Sequence, residues 1–280
     1  MKKPQHRPFT PTFPHQPATT LTMTAAPAAK YTEETVLWVK HHTPKLMTFA
    51  LTRPAEYRFS AGQFSRLGLP EGSGFIWRAY SVVSAEYADT LEYFAVLIEH
   101  GPMSARLAEL KAGDTLLLDK TATGFFLPER FPDGRDLIML CTGSGIAPFL
   151  SILQQPEIWQ RFEHLVLVHS VSYANELIFR ETLHKLSQHL LVGDYAHKLR
   201  FIPVLTREAD AAPLNRRLPE LIANGSLNRA IGLPFSAEHS RFMICGNPAM
   251  VKDTFQALLN LGFTMHRNRI PGQIMMENGF

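Results

Sequence analysis

Between residues 31 and 118, apolar and polar positions alternate in short runs, the two-residue period of strands with one buried face. Six runs stand out, at 34–39, 46–51, 63–69, 79–83, 91–98 and 115–118. Turn-forming Ala61-Gly62, Glu71-Gly72-Ser73-Gly74 and Ala112-Gly113-Asp114 lie between them. Several short strands at this spacing predict an antiparallel β-barrel. One helix interrupts the series, with Ser104 as its expected N-cap and Leu107 and Leu110 on its apolar face.

After Pro132-Asp133-Gly134 the period changes. Apolar runs at 137–141, 165–170, 200–205 and 242–245 read as buried strands. Each precedes a segment with helical spacing, at 148–153, 176–190, 218–224 and 248–261; in the second, Leu177, Leu183, Leu186 and Leu190 form one stripe. Strand–helix alternation predicts an α/β doubly wound parallel sheet. The expected organisation is therefore an N-terminal tail (1–30), a barrel domain (31–132) and an α/β domain (133–280). The tail is rich in Pro, Thr and Ala and lacks periodicity, so disorder is expected. It has no apolar signal-peptide core, and Pro4, Pro8, Pro11, Pro14 and Pro17 oppose the amphipathic helix of a transit peptide. Met23 is an alternative start.

Composition narrows the functional classes. The 280 residues carry a net charge of +3, but Lys2, Lys3, Arg7 and Lys30 all fall before residue 32, where there is no acid. Subtracting those four cations from +3 leaves −1 for the rest, so nothing points to nucleic acid. No run of 18 apolar residues could span a membrane. The two cysteines, Cys141 and Cys245, cannot form a disulfide scaffold, a zinc motif or an iron–sulfur site. They fit a reducing cytoplasm, and no metal site is expected. A monomer is expected.

Four motifs carry candidate chemistry. In Asp136–Leu153 an apolar strand runs into Thr142-Gly143-Ser144-Gly145, and Pro148 lies near the start of a helix. Glycines that let the backbone come close, with free N–H groups at a helix start, make an anion cradle, though an ordinary tight turn has the same pattern. Arg78-Ala79-Tyr80-Ser81 lies on a barrel strand. Alternation puts Arg78 and Tyr80 on one face and Ser81 on the other unless the strand is kinked. Arg offers a fork for pyrophosphate and Tyr a ring to stack on a heterocycle; the alternative is an exposed Arg and a half-buried Tyr. Ile98 to Ser104 places a Gly turn before a helix, either a second anion site or a simple cap. Ile244 to Val251 puts Cys245 at a strand's carboxyl end before Gly246, where open α/β sheets place ligands, or where a small apolar residue is simply buried.

In combination and order these motifs, with Gly124-Phe125-Phe126, Thr206-Arg207-Glu208 and the terminal PGQIMMENGF, resemble the ferredoxin–NADP reductase family, its bacterial ferredoxin/flavodoxin branch in particular. The resemblance covers Tyr31 to Phe280 and implies an FAD-binding β-barrel followed by an NADP-binding α/β domain. For FAD it implies Arg78 on the pyrophosphate, Tyr80 stacked on the isoalloxazine, and Ser81 near flavin N5. It further implies Ala79 within that motif, Pro102, Met103 and Ser104 at a second phosphate contact, and Phe94 beside the adenosine. Thr142 is implied at the flavin–nicotinamide junction, with Gly279 and Phe280 over the ring. For NADP it implies Gly143, Ser144 and Gly145 around the pyrophosphate, with Val171, Ser172, Thr206, Gly246, Asn247, Pro248, Met250 and Val251 completing the site. Arg207 and Arg217 are implied at the 2′-phosphate. Ser81, Cys245 and Glu277 are implied at the hydride-transfer centre.

Three positions depart from the family pattern. Ser172 stands where close relatives carry Arg, Arg216 where they carry Gly, and Phe280 where they end in Trp. Losing one cation is expected to weaken a preference for NADPH by about 1–3 kcal/mol. The implied activity is hydride exchange between NADP(H) and FAD and single-electron exchange with ferredoxin or flavodoxin. A basic docking face at His266, Arg267 and Arg269 is a candidate for that carrier. The alternatives are an NAD(P)H-linked reductase component of an oxygenase, a flavin reductase, or a non-catalytic flavin-binding redox sensor.

Overall fold

A computed structural model describes residues 30–208 and 213–279. The expected tail up to residue 29, the segment 209–212 and Phe280 lie outside the described residues.

The first half forms six antiparallel strands: β1 (Tyr31–Thr43), β2 (Leu46–Thr52), β3 (Phe64–Glu71), β4 (Gly74–Ser81), β5 (Thr90–Val96) and β6 (Thr115–Asp119). Their order is β4-β3-β6-β1-β2-β5. The sheet curls until its ends meet: Val82, just after β4, bridges Tyr93, and the Val83 N–H donates to the Glu92 carbonyl at 2.8 Å. Phe49, Leu51, Leu67, Leu91, Tyr93, Leu116 and Leu118 fill the interior, as the alternating pattern requires. Helix α1 (Pro102–Ala108) closes one end with Met103 and Leu107. Ser104 does not cap it. Pro102 opens the helix behind Gly101, and the Ser104 hydroxyl instead accepts from the Ile98 N–H at 2.9 Å.

The second half holds five parallel strands: β7 (Asp136–Thr142), β8 (His164–Val171), β9 (Leu199–Leu205), β10 (Ser240–Gly246) and β11 (Ile274–Asn278). Their order is β11-β10-β7-β8-β9. The direction of winding reverses between β7 and β10, and ligands of such sheets sit in the crevice outside the carboxyl ends at that point. Even-numbered residues of β7, Ile138 and Leu140, face α5 (Leu218–Ala223), α6 (Ser226–Ile231) and α7 (Pro248–Asn260). Odd-numbered Leu137, Met139 and Cys141 join a cluster with α2 (Ala147–Ile152), α3 (Pro156–Arg161) and α4 (Arg180–His184). That same cluster takes in Leu46, Ala61, Val83, Phe94 and Phe126 from the barrel, so one apolar body spans both sheets.

The helix expected at 176–190 is not continuous. A 3-10 turn at Ala174–Glu176 ends where Leu177 turns to ψ 50°, α4 covers Arg180–His184, and another 3-10 turn covers Lys185–Gln188. Leu177 packs with Val171 and Leu205, whereas Phe179, Leu183 and Leu186 pack in the inter-sheet cluster. Serving two cores bends the segment, and Leu190 is left fully exposed. Strand β11 was not expected; it extends the sheet beyond β10, with Cys245 opposite Glu277.

Candidate functional site

Strand β4 ends at Ser81, and Arg78, Ala79, Tyr80 and Ser81 all line one cavity of about 390 Å³. Strand alternation therefore does not separate Ser81 from Arg78 and Tyr80. Further walls come from Phe94 to Val96 of β5, Pro102, Met103 and Ser104 of α1, Ser144 and Gly145 of the turn after β7, and Cys245 and Glu277 of the parallel sheet. Arg78 is exposed and donates to the Trp77 carbonyl at 2.8 Å. It has no carboxylate partner among the described residues, which leaves its charge for an anion. The Tyr80 ring stands edge-on to Phe49 at 6.5 Å; burial pushes its phenol up to about 12, with Arg78 opposing, so it stays neutral. Phe94 is fixed edge-on against Phe179 at 5.1 Å.

The winding reversal is built from backbone at its closest approach. At Gly145 an added Cβ would lie 2.3 Å from the Cys245 carbonyl oxygen. At Gly246, where φ is +143°, it would lie 2.3 Å from Thr142 Oγ1. At Gly279 it would lie 3.2 Å from the Gly246 Cα, and the Gly279 N–H donates to the Gly246 carbonyl at 2.7 Å. At Gly145 and Gly246 only glycine permits this approach, and Gly279 leaves little room for a side chain. Thr142 Oγ1 accepts from the Asn247 N–H at 3.1 Å, and Asn247 Oδ1 caps α7 through the Ala249 and Met250 N–H groups at 3.0 and 3.4 Å.

A larger cleft of about 690 Å³ opens beside this crossing. It takes in Thr142, Gly143 and Ser144, then Val171 and Ser172, then Thr206 and Arg217, and Gly246, Asn247, Pro248 and Met250. Thr142, expected with the flavin set, lines only this cleft, whereas Gly145, expected with the nucleotide set, lines only the smaller cavity. Two expected residues stand apart. Val251 is on the buried face of α7, and Arg207 is exposed outside the lining, its N–H donating to the Ser172 carbonyl at 3.1 Å. Arg216 pairs with Glu220 at 3.4 Å. The position of Phe280 lies outside the described residues.

Other residues of the site were not singled out from the sequence. Glu176 lines the cleft, and its carboxylate accepts from the Ser172 and Tyr173 N–H groups at 2.7 and 3.2 Å. An acid three residues after Tyr173 is the signal of a capping box. His169 is buried beneath the turn, and its Nε2–H donates to the Gly143 carbonyl at 3.0 Å. Burial pushes its pKa down to about 4, so the ring is neutral.

Burial also pushes the Cys245 thiol up, with Glu277 adding to the effect. Desolvation pushes the Glu277 carboxyl up to about 7. Glu277 faces both the 390 Å³ cavity and a neighbouring hollow of about 460 Å³ that includes Phe125, Arg130, His266 and Met276. Phe125 is 77% exposed there. Arg267 and Arg269 are exposed beside exposed Ile270, whereas His266 is half-buried, edge-on to Phe131 at 5.3 Å. No helix among the described residues is long and apolar enough to cross a membrane.

Comparison with known proteins agrees with this layout. The model of the oxidoreductase NAD-binding domain matches residues 139–256. The chain is 38% identical over 253 residues to ferredoxin–NADP reductase A of Sorangium cellulosum, covering 89% of this chain and 90% of the relative. It is 40% identical over 216 residues to the flavodoxin/ferredoxin–NADP reductase of Escherichia coli, covering 77% and 85%. A crystal structure of a ferredoxin NADP+ reductase from Neisseria gonorrhoeae with bound FAD and NADP superposes with a TM-score of 0.85 and 67% identity, over 90% of this chain and 100% of that one.

Proposed function

The chain belongs to the ferredoxin–NADP reductase family, and on that premise we propose that it exchanges a hydride between NADP(H) and bound FAD, and single electrons between that FAD and ferredoxin or flavodoxin. The observation that carries this reading is the shared wall. The 390 and 690 Å³ cavities both border Phe94, Val96, Ile98, Ser144 and Gly279, so two long ligands laid in them meet at one seam.

The residues fit both cofactors. The smaller cavity offers an Arg with no carboxylate partner among the described residues for a pyrophosphate and a neutral Tyr ring for a planar heterocycle, and Gly145 in its wall brings the turn against the Cys245 backbone. The larger cleft offers Gly143 and Ser144 of the turn for a second pyrophosphate and Arg217 for a 2′-phosphate. When bound, FAD supplies the conversion between a two-electron hydride and single electrons. The protein's part is to bind, orient and exclude water. In our reading Arg78 and Ser104 hold the FAD phosphates, Tyr80 covers one face of the ring system, and Ser81 reaches the N5 edge. Cys245 and Glu277 frame the place where the nicotinamide arrives, and Glu277, poised near neutrality, holds or releases a proton at its carboxyl group. Residues 31–132 are assigned to FAD and 133–280 to NADP(H). An acidic electron carrier docks on the face with Phe125, Arg267 and Arg269, next to the flavin cavity. The described chain is assigned as a monomer in a reducing cytoplasm, supported by two free, buried cysteines.

A second reading, use of NADH, is favoured by one observation: Ser172 provides no cation, and the Glu176 carboxylate lies in the same cleft. Stopped-flow bleaching of the bound flavin separates the two. Fast bleaching by NADPH and slow bleaching by NADH is the expected result; equal rates would remove the role given to Arg217.

A further inference from the structure

We propose that His169 is the positioning residue of the nucleotide turn, holding the Gly143 peptide so that the Ser144 N–H faces the seam between the two cavities. The inference rests on the functional reading above. Strand β8 puts His169 on the same face as Leu165 and Leu167, opposite Cys141 of β7 in the register and directly below the turn. Gly143 is left-handed, at φ +52°, with open space where a side chain would be. No side chain of its own holds this peptide, which opens the 3-10 turn Gly143–Ile146.

The fixing atom is His169 Nε2, 3.0 Å from the Gly143 carbonyl. A carbonyl only accepts, so the ring must present Nε2–H. The ring is buried and neutral, and its hydrogen bond does not come and go with pH in the working range. The peptide is trans, so its N–H points opposite to the pinned carbonyl. That N–H belongs to Ser144, which lines both cavities. The histidine thus acts on a ligand phosphate through a backbone group, without touching it. Without this donor the turn Gly143–Ile146 keeps only its own backbone bonds, and the half-buried Gly143 carbonyl loses its side-chain partner.

The test uses the full FAD-loaded chain and three variants. His169→Gln keeps an amide donor at the reach of Nε2, His169→Asn falls one methylene short, and His169→Leu has no donor. NADP+ affinity is read by titration calorimetry, bound FAD by absorbance after release, and half-saturating NADPH by stopped flow. The Leu and Asn variants are expected to bind NADP+ about tenfold more weakly, as loss of one orienting hydrogen bond implies, while retaining FAD. Half-saturating NADPH rises in step, and the Gln variant recovers to within about threefold of wild type. Unchanged NADP+ affinity in both Leu and Asn variants overturns the proposal, as does a Gln variant no better than Asn or a parallel loss of FAD. If the Leu variant does not fold, the Asn–Gln contrast decides. A wild-type chain that binds no NADP+ defeats the functional reading and this assignment with it, whereas normal wild-type binding with indifferent variants defeats this assignment alone.

Discussion

Two parts of the larger cleft hold the same proposed ligand by opposite means. At the winding reversal the grip is backbone on backbone: Gly246 in the cleft wall and Gly145 packed against it leave no room for a methyl group, and Gly279 lies close on the Gly246 backbone. At the far end, around Ser172, Thr206 and Arg217, the grip is side chains on exposed loops, and the charges there are mixed. The first region can only be kept or broken. The second can be tuned, because adding or removing one exposed charge leaves the scaffold in place.

The largest expected effect comes from breaking the rigid region. Gly145→Ala pushes a methyl into the Cys245 carbonyl, and overpacking of this kind costs about 1–3 kcal/mol. The expectation is a fall in kcat/KM for NADPH of up to about 100-fold, with a lower Tm. Turnover and melting curves at wild-type level would show that the crossing has slack. Next is Arg217→Ala. Loss of one charge-assisted contact to a 2′-phosphate should lower kcat/KM for NADPH about 30-fold and leave NADH nearly unchanged. An equal loss for both nucleotides would move Arg217 away from the 2′-phosphate.

A smaller change sharpens the comparison in the other direction. Ser172→Arg should raise the NADPH-to-NADH ratio about tenfold or less, the worth of one exposed charge-assisted hydrogen bond, measured with both reductants. If Glu176 draws the new cation away from the ligand, the ratio will stay flat. The smallest expected effect is at Glu277. Its carboxyl is raised to about 7 in the folded chain, so folding favours the protonated form. The stabilising contribution is complete below the unfolded value near 4.5 and is lost as pH rises to about 7. Glu277→Gln removes that loss, so its Tm should gain on wild type between about pH 5 and pH 8. A constant Tm difference across that range would show that the carboxyl is not desolvated.

The same contrast explains what was legible in the sequence. Ten of the eleven strands among the described residues were located, the barrel strands because burial on one face marks every second residue and the parallel strands because burial on both faces leaves a continuous apolar run. The glycines of the turn were legible because no other residue tolerates that approach. The segment 176–190 differs from the expected helix because only Leu183, Leu186 and Leu190 have helical spacing, whereas Leu177, six residues before Leu183, serves a different core, and spacing does not say which core a leucine enters. Strand β11 is short and at the sheet's edge, and its five residues read as an ending rather than an element. Ser104 had the residue type of a cap, but Pro102 starts its helix two residues earlier. His169 and Glu176 escaped notice because their partners are backbone atoms, which a sequence does not display.

Phe94 and Phe179 meet inside the apolar body that joins the two sheets, one ring from each side. A mechanical consequence follows. Oil rather than a hinge sets the gap across which the nicotinamide and the flavin must trade their hydride. Arrival of either nucleotide then has no large swing of one lobe to wait for, and whatever must move aside at the seam is a side chain.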